Sequence, residues 1–353
     1  MPYRKNRDFH TLIDQVTVSV AQGLPCCIYR KPGEKLVTGV FQSDDTLNYA
    51  VTFEERGFVF APFDLNDKAF VITPDKIINT NFEPTESVKN NDFLVQDVGK
   101  NFHLDLVEKG ISAINKGVLK KVVLSRKIDI KISKEPSELF EALLELYPNA
   151  LCYLFFHPKL GTWCGATPET LVYINDLELR TMSLAATAIM QDSVDPEWGS
   201  KEIEEQQMVT DYIGQKLRPY LDEVYVGSPK SVEAGKLWHL KSKISGKMAS
   251  NTTIKEVIEA LHPTPAVCGI PTQQAKNFIQ KEENYQRTFY TGFLGELNLT
   301  KNKEATLFVN LRCMEVYKEK ASIFVGGGIT GASIPENEWS ETQHKSITML
   351  RIT

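Results

Sequence analysis

Over residues 1–95 the apolar positions come in short runs, such as Phe58-Val59-Phe60-Ala61, separated by turn-forming residues. That pattern predicts short strands, and no chemical motif falls among them. The spacing changes near residue 101. A helical pattern over 101–117 ends at Gly117, where helix caps favour glycine, and 118–132 then reads as a strand with Lys121 near its start. Residues 134–147 are amphipathic with helical spacing. Strands are predicted over 151–156, 171–174 and 177–184, the last two joined at Asn175-Asp176. Further on, 199–218, 252–261, 271–283 and 335–351 carry helical patterns, whereas 291–298, 306–316 and 320–325 read as strands. Strands arrive in hairpin-like groups more often than singly between helices, so the pattern predicts an α+β fold rather than a doubly wound parallel sheet. No repeat or linker-like stretch divides the chain, and 1–353 is expected to form a single domain.

Composition adds size and exclusions. With 353 residues, 42% of them hydrophobic and 24% charged, the chain can bury a large core. A formal net charge of −5 argues against sequence-independent nucleic-acid binding, which needs clustered Lys and Arg to neutralise phosphates. An anionic small molecule would need a local cationic site. Polar breaks at Arg7, Asp8, His10 and Asp14 interrupt any signal-like run, and no later apolar run approaches ~18 residues, so a cytoplasmic protein without a membrane span is expected. The six cysteines show no Cys-x-x-Cys and no metal spacing with His, which predicts reduced, buried thiols.

Two helical segments begin with Glu-x-x-Glu: Glu202 with Glu205, and Glu338 with Glu341. Each pair lies on one helix face. A solvated acidic first turn, favoured by the helix dipole, is one reading. The other starts from the stripe of Glu202 and Glu205, which continues into Val209, Tyr212 and Ile213 and so turns inward. Inward carboxylates from two elements suit Mg²⁺, a hard cation that takes oxygen ligands. Lys345, one turn past Glu341, could pair with it or with an anionic substrate.

The run Gly326-Gly327-Gly328-Ile329-Thr330-Gly331 matches G-x-G-x-x-G, but no βαβ unit follows and Pro335 stands where the helix should begin, so a dinucleotide site is not expected. It reads instead as a glycine-rich loop bringing backbone N–H groups close to an anion, or as a tight turn needing positive φ. Glu169 follows a turn; if buried it could serve as a general acid. His239 fits either a core histidine or a catalytic one. Lys121 shares a strand face with Val123, and a desolvated lysine there could act as a base.

Taken in order, these segments form a series: Lys121-Val-Val-Leu-Ser-Arg126, Gly165-Ala-Thr-Pro-Glu169, Ser183-Leu-Ala-Ala-Thr187, Glu202 with Glu205, and Trp238-His-Leu-Lys-Ser242. It continues through His262-Pro-Thr-Pro-Ala266, Phe289-Tyr-Thr-Gly292, Leu311-Arg312, the triple glycine, and Glu338-Trp-Ser-Glu341 with Lys345. From about residue 100 to the end the chain resembles the chorismate-utilising enzymes, a family that includes anthranilate, aminodeoxychorismate, isochorismate and salicylate synthases. The resemblance implies the chorismate-utilising enzyme fold, with two packed antiparallel β-sheets flanked by helices. It makes 100–353 the chorismate-binding catalytic part and leaves 1–95 as a variable N-terminal scaffold.

The resemblance also implies roles. Glu205 and Glu341 look like direct magnesium ligands, with Glu202 and Glu338 placed to hold its waters. Arg312, Tyr290, Lys345 and the backbone at Gly327 and Gly328 resemble the groups that bind the substrate's carboxylates, His239 matches the histidine beside the ring, and Thr187 closes the Ser183–Thr187 motif at the substrate. Lys121 stands where water-using members carry lysine and ammonia-using ones glutamine, so no amidotransferase subunit is expected. Ala185 stands where aminodeoxychorismate synthases carry a nucleophilic lysine, which excludes covalent attachment there. The implied reaction has Lys121 deliver water to ring carbon C2 while Glu169 protonates the departing C4 hydroxyl, giving isochorismate. A salicylate synthase, which goes on to eliminate pyruvate, is the nearest rival, and a catalytically silent binder of small anions a distant one. Isochorismate feeds menaquinone or siderophore synthesis; menaquinone is the expected route, and a monomer the expected state. Two positions depart from the family pattern: Ala186 replaces a usual glycine, and Gln206 follows Glu205 where histidine is usual.

Overall fold

The computed structural model describes residues 6–85, 98–189, 196–234 and 237–353. The chain opens with α1 (Arg7–Ala21), followed by β1 (Cys26–Arg30), β2 (Leu36–Phe41), β3 (Asn48–Ala50), β4 (Gly57–Ala61), β5 (Ala69–Ile72) and β6 (Lys76–Asn81). Then come α2 (Lys100–Asn115), β7 (Lys121–Lys131), α3 (Pro136–Leu146), β8 (Leu151–His157), β9 (Gly161–Thr167), β10 (Thr170–Asn175), β11 (Glu178–Ile189) and α4 (Ser200–Leu217). The remainder runs β12 (Leu221–Val226), β13 (Lys230–Ala234), β14 (Leu237–Met248), α5 (Ile254–Leu261), β15 (Gly269–Ile270), α6 (Thr272–Glu282), β16 (Phe293–Leu297), β17 (Glu304–Val309), β18 (Cys313–Val316), β19 (Lys320–Ile329) and α7 (Pro335–Leu350).

Among the described residues these strands form two antiparallel sheets. One has the order β15-β7-β19-β18-β9-β8-β1-β2-β6; the other runs β12-β14-β11-β10-β17-β16-β4-β5-β3, with β13 also on β14. An aromatic core joins their facing sides, with Tyr29, Tyr153, Trp163 and Phe324 from the first sheet and Phe58, Phe60 and Phe308 from the second. Phe289 stacks on Phe60 at 4.3 Å between ring centroids. The outer face of the first sheet is covered by α1, α3 and α7, through Leu12, Phe140, Leu143 and Met349. That of the second is covered by α4 and α5, through Val209, Ile213, Val257 and Ile258. Helices α2 and α6 pack on β7 and β19 through Leu106, Val107, Ala275 and Ile279 against Val122, Leu124 and Ile329. Burial of these stripes supplies the main driving force, roughly 25 cal/mol per Å² of apolar surface removed from water. The α+β expectation of two packed antiparallel sheets flanked by helices holds. No helix among the described residues is long and apolar enough to cross a membrane.

Local chemistry fixes several boundaries. Capping boxes start α3 at Glu135 and Glu138 and α5 at Thr253 and Glu256. Gly117, two residues past α2, takes φ +75°, as the cap expectation required. Pro335 occupies the first turn of α7, where its missing N–H has no intrahelical partner to lose.

Other expectations are corrected. Residues 1–95 hold a helix as well as strands: α1 buries Phe9, Leu12, Val16 and Ser19 at helical spacing. Its strands enter both sheets, β1 pairing with β8 and β4 with β16. The single strand expected over 306–316 is two, because the chain leaves one sheet after Val309 and enters the other at Cys313. Strands β9, β12, β13 and β14 had no counterpart in the pattern. The glycine triplet is neither a loop nor a positive-φ turn: Gly326, Gly327 and Gly328 lie inside β19, opposite Ser125, Leu124 and Val123 of β7.

Candidate active site

A cavity lies where β7 and β19 of one sheet meet β11 and β14 of the other, with the start of α4 and the middle of α7 on its flank. Of the residues singled out from the sequence, Lys121, Glu169, Thr187, Glu202, Glu205, His239, Tyr290, Arg312, Gly327, Gly328, Glu341 and Lys345 all line it. Glu338 does not; it is buried behind, bonded to Lys201.

Lys121 opens β7 and is 1% exposed, on the buried face it shares with Val123. Its Nζ stands 2.8 Å from Glu205 Oε1. Glu169 sits between β9 and β10, anchored where its carbonyl accepts from the Val309 amide at 2.9 Å. Burial pushes its carboxyl up to about 8, although the cations Lys121, Lys345 and Arg312 pull the other way. The acid is therefore mostly protonated near neutral pH and has a proton to give. His239, on β14, is driven down to about 3 by burial and by the charges of Arg312 and Lys345. The neutral ring donates from Nδ1 to the Ala186 carbonyl at 2.8 Å, an assignment made from that acceptor, which leaves Nε2 as an acceptor toward the Arg312 guanidinium at 3.4 Å.

Arg312 stands at the crossover between the sheets with φ +48°, in the left-handed region that a non-glycine residue enters only under constraint. Its guanidinium bonds only weakly, to the Lys345 carbonyl at 3.5 Å and to His239. Burial lowers its pKa, though the nearby acids oppose this. A half-buried guanidinium with so few strong partners is a ready seat for a carboxylate. Ala186 also lies at φ +58°, at a bulge in the β11–β14 pairing. The conformation accounts for the family's usual glycine there.

The glycines of β19 make room for the acids. A Cβ on Gly328 would lie 2.5 Å from Glu205 Oε1 and 3.0 Å from Lys121 Cε. One on Gly327 would meet Glu338 Oε2 at 3.3 Å and Glu341 Oε1 at 3.4 Å. Three carboxylates from two helices thus converge on one glycine step. Each is closed on a lysine: Glu205 on Lys121, Glu338 on Lys201 at 3.2 Å, and Glu341 on Lys345 at 2.5 Å. Glu202 bends back over Gly199 at its own helix start instead. Burial, then the neighbouring Glu341, raises the Glu338 pKa. Burial also works against ionisation of Glu341, but the Lys345 ammonium outweighs it and holds that carboxyl low.

The donors suit a hard divalent cation in kind, being the oxygens of two buried carboxylates, Glu205 and Glu338, and the partly exposed Glu341, with mutual repulsion to relieve. As placed, no three acids or histidines among the described residues are grouped to hold a metal, so seating one requires these carboxylates to turn from their lysines. Lys201 was not anticipated from the sequence. Its one signal is its place directly before Glu202 in the first turn of α4.

Residues 69–353 match the family described as chorismate binding enzyme. Isochorismate synthase DhbC of Bacillus subtilis is 30% identical over 315 residues, spanning 82% of this chain and 78% of that protein. Isochorismate synthase MenF of Pasteurella multocida is 30% identical over 261 residues, spanning 70% of this chain and 60% of the relative. Among solved structures, DhbC from Bacillus anthracis aligns with a TM-score of 0.78 and 26% identity, covering 93% of this chain and 96% of that one. The menaquinone-specific isochorismate synthase MenF from Escherichia coli aligns equally well, at 0.78, but at 20% identity it speaks to the fold alone; it covers 93% of this chain and 88% of that one. The chain belongs to the family of chorismate binding enzymes.

Proposed function

We propose that this chain is an isochorismate synthase, an isomerase that adds water at C2 of chorismate and expels the C4 hydroxyl, with Mg²⁺ as its cofactor. One observation carries most weight: a buried lysine and a buried carboxylic acid whose pKa burial raises, Lys121 and Glu169, line the same cavity. In this reading Lys121 Nζ takes a proton from water as its oxygen bonds to C2. The ring double bonds shift, the C4–O bond breaks, and Glu169 protonates the departing oxygen. One water enters and one leaves, so the change is an isomerisation.

Binding in this account rests on Arg312, Lys345, Tyr290 and the backbone at Gly327 and Gly328 for the two substrate carboxylates. Neutral His239 and Thr187 lie against the ring. Glu205 and Glu341 would hold magnesium and Glu202 and Glu338 its waters, and the bound ion would neutralise the ring carboxylate. Ala185, buried and lining the cavity, offers no nucleophile, in keeping with water as the attacking group. The chemistry is common to relatives named for menaquinone and for 2,3-dihydroxybenzoate.

The test is to incubate purified protein with chorismate, with and without Mg²⁺ and ammonium, and resolve the products. Isochorismate that requires Mg²⁺ and ignores ammonium is expected. Anthranilate, salicylate with pyruvate, or no conversion would each overturn the assignment.

A further inference from the structure

Strand β7 has an incomplete neighbour on the side away from β19. β15 pairs with it only at Lys121 and Val122, flanked by bonds from the Lys120 amide to the Ile270 carbonyl at 2.7 Å and from the Val123 amide to the Cys268 carbonyl at 2.8 Å. Beyond that point no strand continues among the described residues, yet β7 is buried from Lys121 to Arg126 and its backbone groups there still need partners. A side-chain ion pair supplies them. The Arg287 guanidinium donates to the Val123 carbonyl at 2.8 Å, and Glu283 Oε1 accepts from the Ser125 amide at 2.8 Å and its hydroxyl at 2.7 Å.

All five guanidinium N–H donors of Arg287 are used. Nε reaches Glu283 Oε2 at 2.9 Å, and one terminal nitrogen reaches Glu283 Oε1 at 2.6 Å as well as Val123. The other binds the Val267 carbonyl at 2.8 Å and Thr291 Oγ1 at 3.3 Å. Val123, Val267 and Thr291 all line the candidate active site, although Arg287 does not. Val123 and Ser125 also stand directly opposite Gly328 and Gly326 in the strand register. Thr291, next to Tyr290, is held at φ +62° and is fully buried.

We propose that Arg287, locked by Glu283, is a positioning residue of the reaction. It fixes the Lys121 strand against the Tyr290–Thr291 turn and so sets the distance between the base and the substrate seat. The proposal rests on the isochorismate synthase reading for its kinetic consequence, but the clamp itself is measurable without turnover. Lysine at this position keeps the charge and the pairing with Glu283, yet has three donors instead of five and cannot serve three wall residues at once.

The experiment is Arg287→Lys, followed by steady-state kinetics on chorismate with Mg²⁺, thermal melting, and amide hydrogen exchange. The expected result is a kcat at least about tenfold lower, KM changed by less than about threefold, and a cooperative melt close to the wild type. Exchange should quicken by about tenfold or more at the Val123, Ser125 and Thr291 amides and stay unchanged in the β8–β9 hairpin. Unchanged kcat or unchanged local exchange overturns the proposal. So does faster exchange throughout the protein with a parallel fall in stability, which would make the pair a general structural element. Local exchange that quickens in a protein whose wild type does not convert chorismate would leave the clamp standing and remove the function reading instead.

Discussion

Replacing Glu169 by glutamine keeps the shape of the side chain and removes its proton. Burial raises this carboxyl from 4.5 to about 8 despite three nearby cations. At about 1.4 kcal/mol for each pH unit, the difference between its protonation states amounts to roughly 5 kcal/mol. Two consequences follow. In the proposed role of general acid Glu169 would act only while protonated, so wild-type kcat/KM should fall as pH rises through about 8. Its folded pKa lies above the unfolded value, so its contribution to stability is fully present below about pH 4.5 and is lost as pH rises through about 8. Glutamine has no such dependence. Glu169→Gln should therefore lower kcat by about 10²–10⁴-fold, while its melting temperature should gain on the wild type as pH rises from about 5 to 8. Product formation followed by chromatography, with thermal melts across the same pH range, tests both. A variant with full activity, or a wild-type profile flat through pH 8, would falsify the acid role.

Further expectations concern other residues. Lys121→Ala should abolish water addition while chorismate still binds by calorimetry, whereas Glu341→Ala should lose the Mg²⁺-dependent part of that binding; full turnover in either variant contradicts the assigned role. His103 is buried between α2 and α7 with neither ring nitrogen hydrogen-bonded, and burial and then Arg126 lower its pKa to about 4. It must stay neutral in the fold, so its contribution is present above about pH 6.5 and is lost as pH falls through about 4, an effect of roughly 3 kcal/mol. His103→Leu should thus melt higher than wild type at pH 5 by more than at pH 7.5, and an equal gap at both would count against this. Ala186→Gly should relieve the left-handed backbone and stabilise the protein by about 0.5–1 kcal/mol in denaturant unfolding, whereas destabilisation would mean the methyl group packs better than the backbone suffers.

Much of the site was legible because its chemistry is bound to regular spacing. The period of two that puts Lys121 with Val123 predicted burial that the structure shows, and of the helical stripe Glu202, Glu205, Val209, Tyr212 and Ile213, Glu205, Val209 and Ile213 are buried while Glu202 and Tyr212 are half-buried. The glycine triplet misled because glycine in a sequence signals backbone freedom. Here its use is steric: Glu205, Lys121, Glu338 and Glu341 fill the space that side chains on β19 would need. Strand β9, Gly161–Thr167, is rich in small residues and becomes a strand through its pairing with β8 and β18, which no local window contains. Helix α1 is different, since Phe9, Leu12 and Val16 do carry the helical period, and only the strand-like runs after it obscured the pattern. The role of the Glu283–Arg287 pair was not legible, because its partners at Val123, Ser125, Val267 and Thr291, mostly backbone groups, are brought together only by the fold.

The central claim is that water, and not the substrate's own C4 oxygen, becomes the new hydroxyl at C2. The direct measurement is conversion of chorismate in ¹⁸O-labelled water with Mg²⁺, with the product analysed by mass spectrometry at short times. The account predicts isochorismate carrying one labelled oxygen, located at C2. Isochorismate free of label would mean that the hydroxyl migrates within the substrate, and would contradict the roles given to Lys121 and Glu169.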